Sequence, residues 1–259
     1  MKKQIAKICG LLLILVFISS TTSAARRPLP PEIEVLIADS YYTGRNLYLA
    51  FDQIERDAAK CGIRLNLVVQ EFYTVATRIF AGDYEAVLYI GLVGSYSDTW
   101  DSILETLLFL KDILYTNNEE FSSLIEELWS LYNSEASDNE LLPIFHEFEF
   151  LLYDELYIPT FFWYIRETEE NRQDLYTFHY IFNCEKIQDK AVRKALMYLT
   201  DLDLIIDVIG NHIEFEIHPS SHLFAYSSYH DTSLPDYYYN IGKATSILAH
   251  AGYRPAHIK

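Results

Sequence analysis

The sequence predicts an α/β fold, a mixed and mostly parallel sheet flanked by helices, and three observations predict it. Strand-like and helix-like patterns alternate between Glu32 and Gly91, the rhythm of βαβ units. Ala86 to Gly91 is almost wholly apolar, as a central strand buried on both faces requires. Half of the 259 residues are hydrophobic and 22% are charged, with nine glycines and eight prolines. That composition excludes a disordered, collagenous or low-complexity chain and leaves ample apolar material for a core.

Arg26-Arg27-Pro28-Leu29-Pro30-Pro31 reads as a stiff, extended spacer, and structure begins directly after it. Glu32 to Ala38 is β-branched and apolar, a strand. Leu47, Ala50, Phe51, Ile54, Ala58 and Cys61 recur at helical spacing, and Gly62 sits where that helix should end. Ile63, Leu65, Leu67 and Val69 alternate with polar residues, a strand with one wet face. Thr74 to Phe80 is a short helix closed by Gly82, and Ala86 to Gly91 is the central strand. Phe121, Leu124, Ile125, Leu128 and Tyr132 make one amphipathic face; Leu141, Ile144, Phe145, Phe148, Leu151 and Leu152 make a second. Tyr157 to Ile165 and Tyr176 to Phe182 read as strands, joined by a charged, solvated connector from Arg166 to Asp174. Asp189 to Leu199 is a helix, and Asp201 caps another that runs to Ile209. From Asn211 to Pro235 there is little periodicity. Ile241 to Ala251, closed by Gly252, is the last helix.

Lys and Arg number 20 against 37 Asp and Glu, a formal charge of −17. Three of the lysines lie in an N-terminal segment with no acid, so the rest of the chain is more acidic still. Such a surface repels phosphate backbones and anionic lipid, which excludes nucleic acid as a partner and suits cationic or neutral ligands.

Lys2, Lys3 and Lys7 precede an apolar run from Ile8 to Ile18, and small polar residues follow from Ser19 to Ala25. This is the three-part layout of a secretory signal peptide, cleaved after Ala24 or Ala25. An uncleaved anchor is the competing reading, although the run falls short of the ~20 residues of a comfortable span. Cys9 precedes the run, where a lipid-modified cysteine would follow it. Residues 1–25 are thus assigned as signal, 26–31 as spacer and 32–259 as one lobe, giving a secreted, extracellular or cell-envelope protein with no membrane span beyond the signal segment. Cys61 and Cys184 remain in the mature chain, either bridged or as two free or buried thiols.

Catalytic signatures are missing. There is no glycine-rich phosphate loop, nucleophile elbow, paired-cysteine motif or His-Glu-x-x-His. His218-Pro219-Ser220-Ser221-His222, with His212 and Glu216 nearby, has ligand-like spacing. Pro219 prevents a helix from presenting both imidazoles on one face, so no metal, no cofactor and no enzymatic activity are assigned. Loops at the carboxyl ends of parallel strands are where ligands sit. The loop after Ala86 to Gly91 carries Tyr96, Asp98 and Trp100, which are the candidate ligand-binding residues. The plainer reading is a strand-to-helix turn with Trp100 packed under the next helix.

One run goes beyond generic helix. Phe182-Asn183, Asp189-Lys190-Ala191-Val192-Arg193-Lys194-Ala195-Leu196, Thr200-Asp201 and Ile205-Ile206 resemble the middle of family 5 extracellular solute-binding proteins, the peptide- and oligopeptide-type receptors of ABC importers. Tyr238-Tyr239-Asn240 and Ala251-Gly252-Tyr253 resemble the Tyr-rich turn and closing Ala-Gly-Tyr that follow in that family. Gln53 to Leu67, Gly82-Asp83-Tyr84-Glu85, and Glu140 to Trp163 with Ile158-Pro159 resemble the sections that come later in it. Together these matches cover most of the chain from Ile33 to Tyr253.

The order of the matches is reversed. The section over 176–253, which comes first in the family, here follows the section over 32–165. Joining the two ends restores the family order, so the resemblance implies a circularly permuted carboxyl-terminal lobe with a periplasmic-binding-protein-like (type II) fold. A gene fragment carrying pieces of two copies is the plainer origin. The family binds its ligand between two lobes that close on a hinge. The resemblance therefore implies transmembrane transport, with a peptide or other small organic solute as ligand and an ABC permease or a second receptor lobe as partner. In peptide-binding relatives an Asp in the loop after the βαβ strand meets the ligand's amino group; Ser95 precedes Tyr96 here, and the nearest carboxylate is Asp98. The alternative is an exported protein-interaction module without a transport role. An enzyme would need His212, His218 and His222 to converge with carboxylates.

Overall fold

The computed structural model describes residues 32–39, 47–95, 99–155, 160–167, 173–210, 216–219, 224 and 227–253. The signal segment and the Pro-rich spacer lie outside the described residues. No helix among those described is long and apolar enough to cross a membrane.

The chain is α/β. Strand β1 (Glu32–Asp39) leads to helix α1 (Leu47–Cys61), β2 (Arg64–Glu71), α2 (Phe72–Phe80) and β3 (Ala86–Ser95). Three helices follow, α3 (Trp100–Ile113), α4 (Glu119–Asn133) and α5 (Asp138–Glu155), and then the strands β4 (Thr160–Glu167) and β5 (Gln173–Phe182). Helices α6 (Lys190–Leu199) and α7 (Leu202–Gly210), strand β6 (Glu216–Pro219) and helix α8 (Ile241–His250) complete the described elements. The six strands form one sheet in the order β2-β1-β3-β5-β4-β6.

Alternation along the strands sorts the core into two layers, because successive side chains point to opposite faces. Ile33, Val35 and Ile37 of β1, Ala86 and Leu88 of β3, and Tyr180 and Phe182 of β5 pack on one face with α1, α6, α7 and α8. Leu36, Ala38, Val87 and Ile181 pack on the other with α2, α3, α4 and α5. Central strands covered on both sides explain why β1 and β3 read as nearly continuous apolar runs. Helix ends follow their local chemistry. Asn118, Asp189 and Asn240 cap α4, α6 and α8 by accepting from backbone N–H groups of the first turn. Gly62, Gly82 and Gly252 take positive φ just past α1, α2 and α8.

Four expectations are corrected. The sheet is mixed rather than mostly parallel between neighbours: β1 runs parallel to β2 and β3, whereas β5 is antiparallel to both β3 and β4, and β6 is antiparallel to β4. The short β4–β5 connection is the reason, since parallel neighbours need a long crossover and a short link gives antiparallel pairing. Strand β3 runs four residues past Gly91, to Ser95, because β5 pairs with it as far as Ser95↔Asp174. Arg166 and Glu167 of the supposed connector are strand residues opposite Asp174 and Gln173. The aperiodic 211–235 stretch contains β6, a four-residue edge strand.

Cys61 and Cys184 are free thiols. Burial pushes both up, Cys184 to about 11, so neither is a reactive nucleophile at neutral pH.

Candidate functional site

The connections around β1 create the site. Helix α1 carries the chain from β1 to β2 across one face of the sheet, and α2 returns it to β3, on the far side of β1, across the other face. Loops that leave two neighbouring strands toward opposite faces open a crevice between their carboxyl ends, the usual ligand position in an open α/β sheet. Here that position falls between Asp39, which closes β1, and Ser95, which ends β3. Strand β3 overhangs it, pairing beyond Leu88 with β5 alone. Glu71 closes β2 beside it and is held as the cap of α2, accepting from the Thr74 N–H at 3.2 Å.

Of the three predicted ligand residues, Tyr96 and Asp98 lie outside the described residues. Trp100 is the first residue of α3, capped by Thr99, and only 8% of it is exposed. Its indole stacks on Tyr229, with centroids 4.5 Å apart at 22°, and meets the Phe145 ring edge-on at 5.6 Å. Its Nε1–H donates to Asp138 at the start of α5, at 2.8 Å. The indole is thus spent on packing. Its place is to fix the first turn of α3, directly after residues 96–98 in the chain.

Sequence reasoning missed the turn behind Trp100. Residues Ser227 to Asp231 fold against α5 through buried polar contacts. Glu149 is buried; one carboxylate oxygen meets His230 Nδ1 at 2.6 Å and the other accepts the Asp231 N–H at 2.8 Å. His146 Nε2 donates to the Tyr229 carbonyl at 2.8 Å. A signal for this was present in the sequence. Glu149 lies on the apolar stripe of Phe145, Phe148 and Leu152, and a carboxylate on a core-facing helix stripe needs a buried partner. Replacing Glu149 by Gln is expected to cost about 1–3 kcal/mol, because it mismatches the partners of a buried acceptor. Denaturant unfolding reads the loss, and limited proteolysis should show new cleavage between residues 227 and 233.

His218 is in β6, paired with Trp163; His212 and His222 lie outside the described residues. No group of three or more His, Cys, Asp or Glu able to hold a metal ion occurs among the described residues.

No family model matches the chain, and no curated protein or solved structure matches it. At the opposite, amino edge of the parallel strands, the chain's own contacts link distant segments. Asn183, at the end of β5, donates its backbone N–H to the Glu85 carbonyl at 2.9 Å and its side-chain N–H to the Gly82 carbonyl at 3.2 Å. The Tyr253 hydroxyl donates to Asp189, the cap of α6, at 2.7 Å.

Proposed function

We propose that the chain is a single lobe of a secreted solute-binding protein, related to the peptide and oligopeptide receptors of ABC importers. Its segments are in permuted order on a type II lobe. One observation carries the reading: the motifs that resemble that family, far apart in the chain, are bonded to one another. The Gly82–Glu85 turn meets Asn183, and Tyr253 meets Asp189. Asn183 to Asp189 lie at the amino edge of the parallel strands, since Phe182 and Val35 both lie opposite Ala86. Ile33, Ile187 and Val192 belong to the apolar cluster on one face of the sheet, and Tyr253 packs against that cluster. Permutation requires the head and the tail to share such a face, because it closes one on the other.

In this reading the solute meets the crevice between β1 and β3, and Tyr96 and Asp98 contact it. The Asp98 carboxylate takes a cationic group, in keeping with the acidic surface, and Trp100 positions the loop. A half-cleft binds weakly, so saturable protection is the useful test. Thermal unfolding with a panel of tri- to pentapeptides is expected to show stabilisation that saturates with concentration. A ligand at 100 times its dissociation constant adds about 2.7 kcal/mol. Asp98→Asn should remove the effect. No shift with any peptide, or a shift unchanged in Asp98→Asn, defeats the proposal.

A second reading, an exported interaction module, is favoured by one feature. Phe80 of α2 and Phe109 of α3 are 62% and 47% exposed, with their rings in contact at 6.1 Å. Contiguous exposed apolar surface, unlike scattered single residues, marks protein contacts. It predicts no peptide shift and a loss of self- or partner-association in Phe109→Ser, read by sedimentation.

A further inference from the structure

Lys243 stands in the first turn of α8, with its backbone N–H bonded to the capping Asn240 side chain at 2.8 Å. A cation is unfavourable there, because the amino end of a helix carries partial positive charge. Tyrosine rings compensate. The Lys243 ammonium lies 4.4 Å from the centroid of Tyr198 and 5.2 Å from that of Tyr238, both within cation–π range. The two rings meet edge-on at 6.0 Å, and Tyr237 backs Tyr198 at 5.0 Å, with Tyr153 behind it at 5.3 Å. Tyr198 and Tyr237 are buried, whereas Tyr238 is 58% exposed and forms the open wall. The Tyr198 hydroxyl raises Lys243 above its ordinary value, so the occupant is a full cation at neutral pH.

We propose that Tyr198 and Tyr238, with Tyr237 packed behind Tyr198, form a two-walled aromatic binding box for a trimethylammonium group, with Lys243 as its built-in, displaceable occupant. A primary ammonium is compact and strongly hydrated, so it gives up much solvation to sit on a ring face. A trimethylammonium group is less hydrated and broader, and aromatic cages take it for that reason. The Lys243 side chain is held by the Tyr198 hydroxyl and the two ring faces, and it stands at the exposed start of a helix, so a competing cation needs to displace only these contacts. The acidic surface raises the local concentration of cations. The box lies between the end of α6 and the start of α8, and it does not depend on the crevice reading.

The test is calorimetric titration with choline chloride. Sodium chloride serves as the ionic control and 3,3-dimethyl-1-butanol as the neutral isostere. Lys243→Ala empties the box and should bind choline roughly fivefold or more tightly than the unsubstituted protein, with no saturable heat from the neutral isostere. Lys243→Ser should behave alike. Adding Tyr238→Leu, an exposed position that spares the core, should weaken choline binding by a similar factor. Absence of saturable choline binding in both Lys243 variants overturns the proposal. So does equal binding of the neutral isostere, or binding indifferent to Tyr238→Leu.

Discussion

Arg193→Met is expected to destabilise the protein by about 3–5 kcal/mol, because it strips donors from a buried junction. The guanidinium is almost fully buried on α6. It donates through Nη1 to the carbonyls of Ile187 and Gln188 at 2.7 and 3.2 Å. Through Nε and Nη2 it donates to the carbonyl of Glu155 at 3.0 and 2.7 Å, and Nη2 also lies 3.4 Å from the Glu155 carboxylate. Glu155 is the last residue of α5, so that carbonyl has no partner within its own helix. One side chain therefore ties the end of α5 and the 187–188 turn to the helix that covers the sheet. Methionine fills the volume and leaves the carbonyls without donors. Lysine should restore only part of the loss, since one ammonium cannot reproduce a planar fork. Urea unfolding of the two variants checks this; a loss below about 1 kcal/mol for Arg193→Met would show that the junction is not needed.

The second large effect is an acid dependence centred on His179. This residue lies in the middle of β5, opposite Tyr89 of β3 and Thr160 of β4. Burial pushes its imidazole down from an ordinary 6.5 to about 3. The unfolded chain therefore takes up a proton below pH 6.5 that the folded chain refuses until about pH 3. Stability is fully present above pH 6.5 and falls as the pH drops through that window. At 1.36 kcal/mol per unit the full span amounts to roughly 5 kcal/mol. Asp57 adds a smaller loss below it. Burial raises that carboxyl, but hydrogen bonds from Lys60, Tyr239 and Gln53 outweigh the effect and hold it below 3.8. Its contribution is present above 3.8 and is lost as the pH falls through the lower, folded value. His179→Leu should flatten the stability profile between pH 6.5 and 4 and leave the fall that begins below 3.8. Parallel profiles for the two proteins would remove His179 from the explanation.

Local patterns carried most of the helices and the first three strands into the sequence reading, because spacing, caps and closing glycines act within a few residues of each other. Asp189, Asp201 and Gly62 are such signals. What was not legible depends on partners far along the chain. Gly94 reads as a loop glycine, yet it lies at a register shift in the β3–β5 pairing, and only β5, some eighty residues later, makes Leu92 to Ser95 a strand. β6 is a short edge strand ending in Pro219, too brief to show a period. Trp100 reads as a ligand residue from its position in the loop, but Asp138 and Tyr229 claim its indole. The alternation of β1, α1, β2, α2 and β3 was legible because its signals are local. The turn behind Trp100 was not, because only tertiary packing brings residues 227–231 to α5.

Reordering the chain tests the head-to-tail neighbourhood most directly. A polypeptide that begins at Gln173, runs through Tyr253, continues through residues 254–259 and 26–31 into Glu32, and ends at Glu167 retains the residues of every described strand pairing and cuts only the covalent connection between β4 and β5. Such a chain is expected to unfold in a single cooperative transition with an unchanged far-ultraviolet spectrum. A reordered protein that is collapsed, binds hydrophobic dye and melts without a transition would contradict the permuted-lobe interpretation.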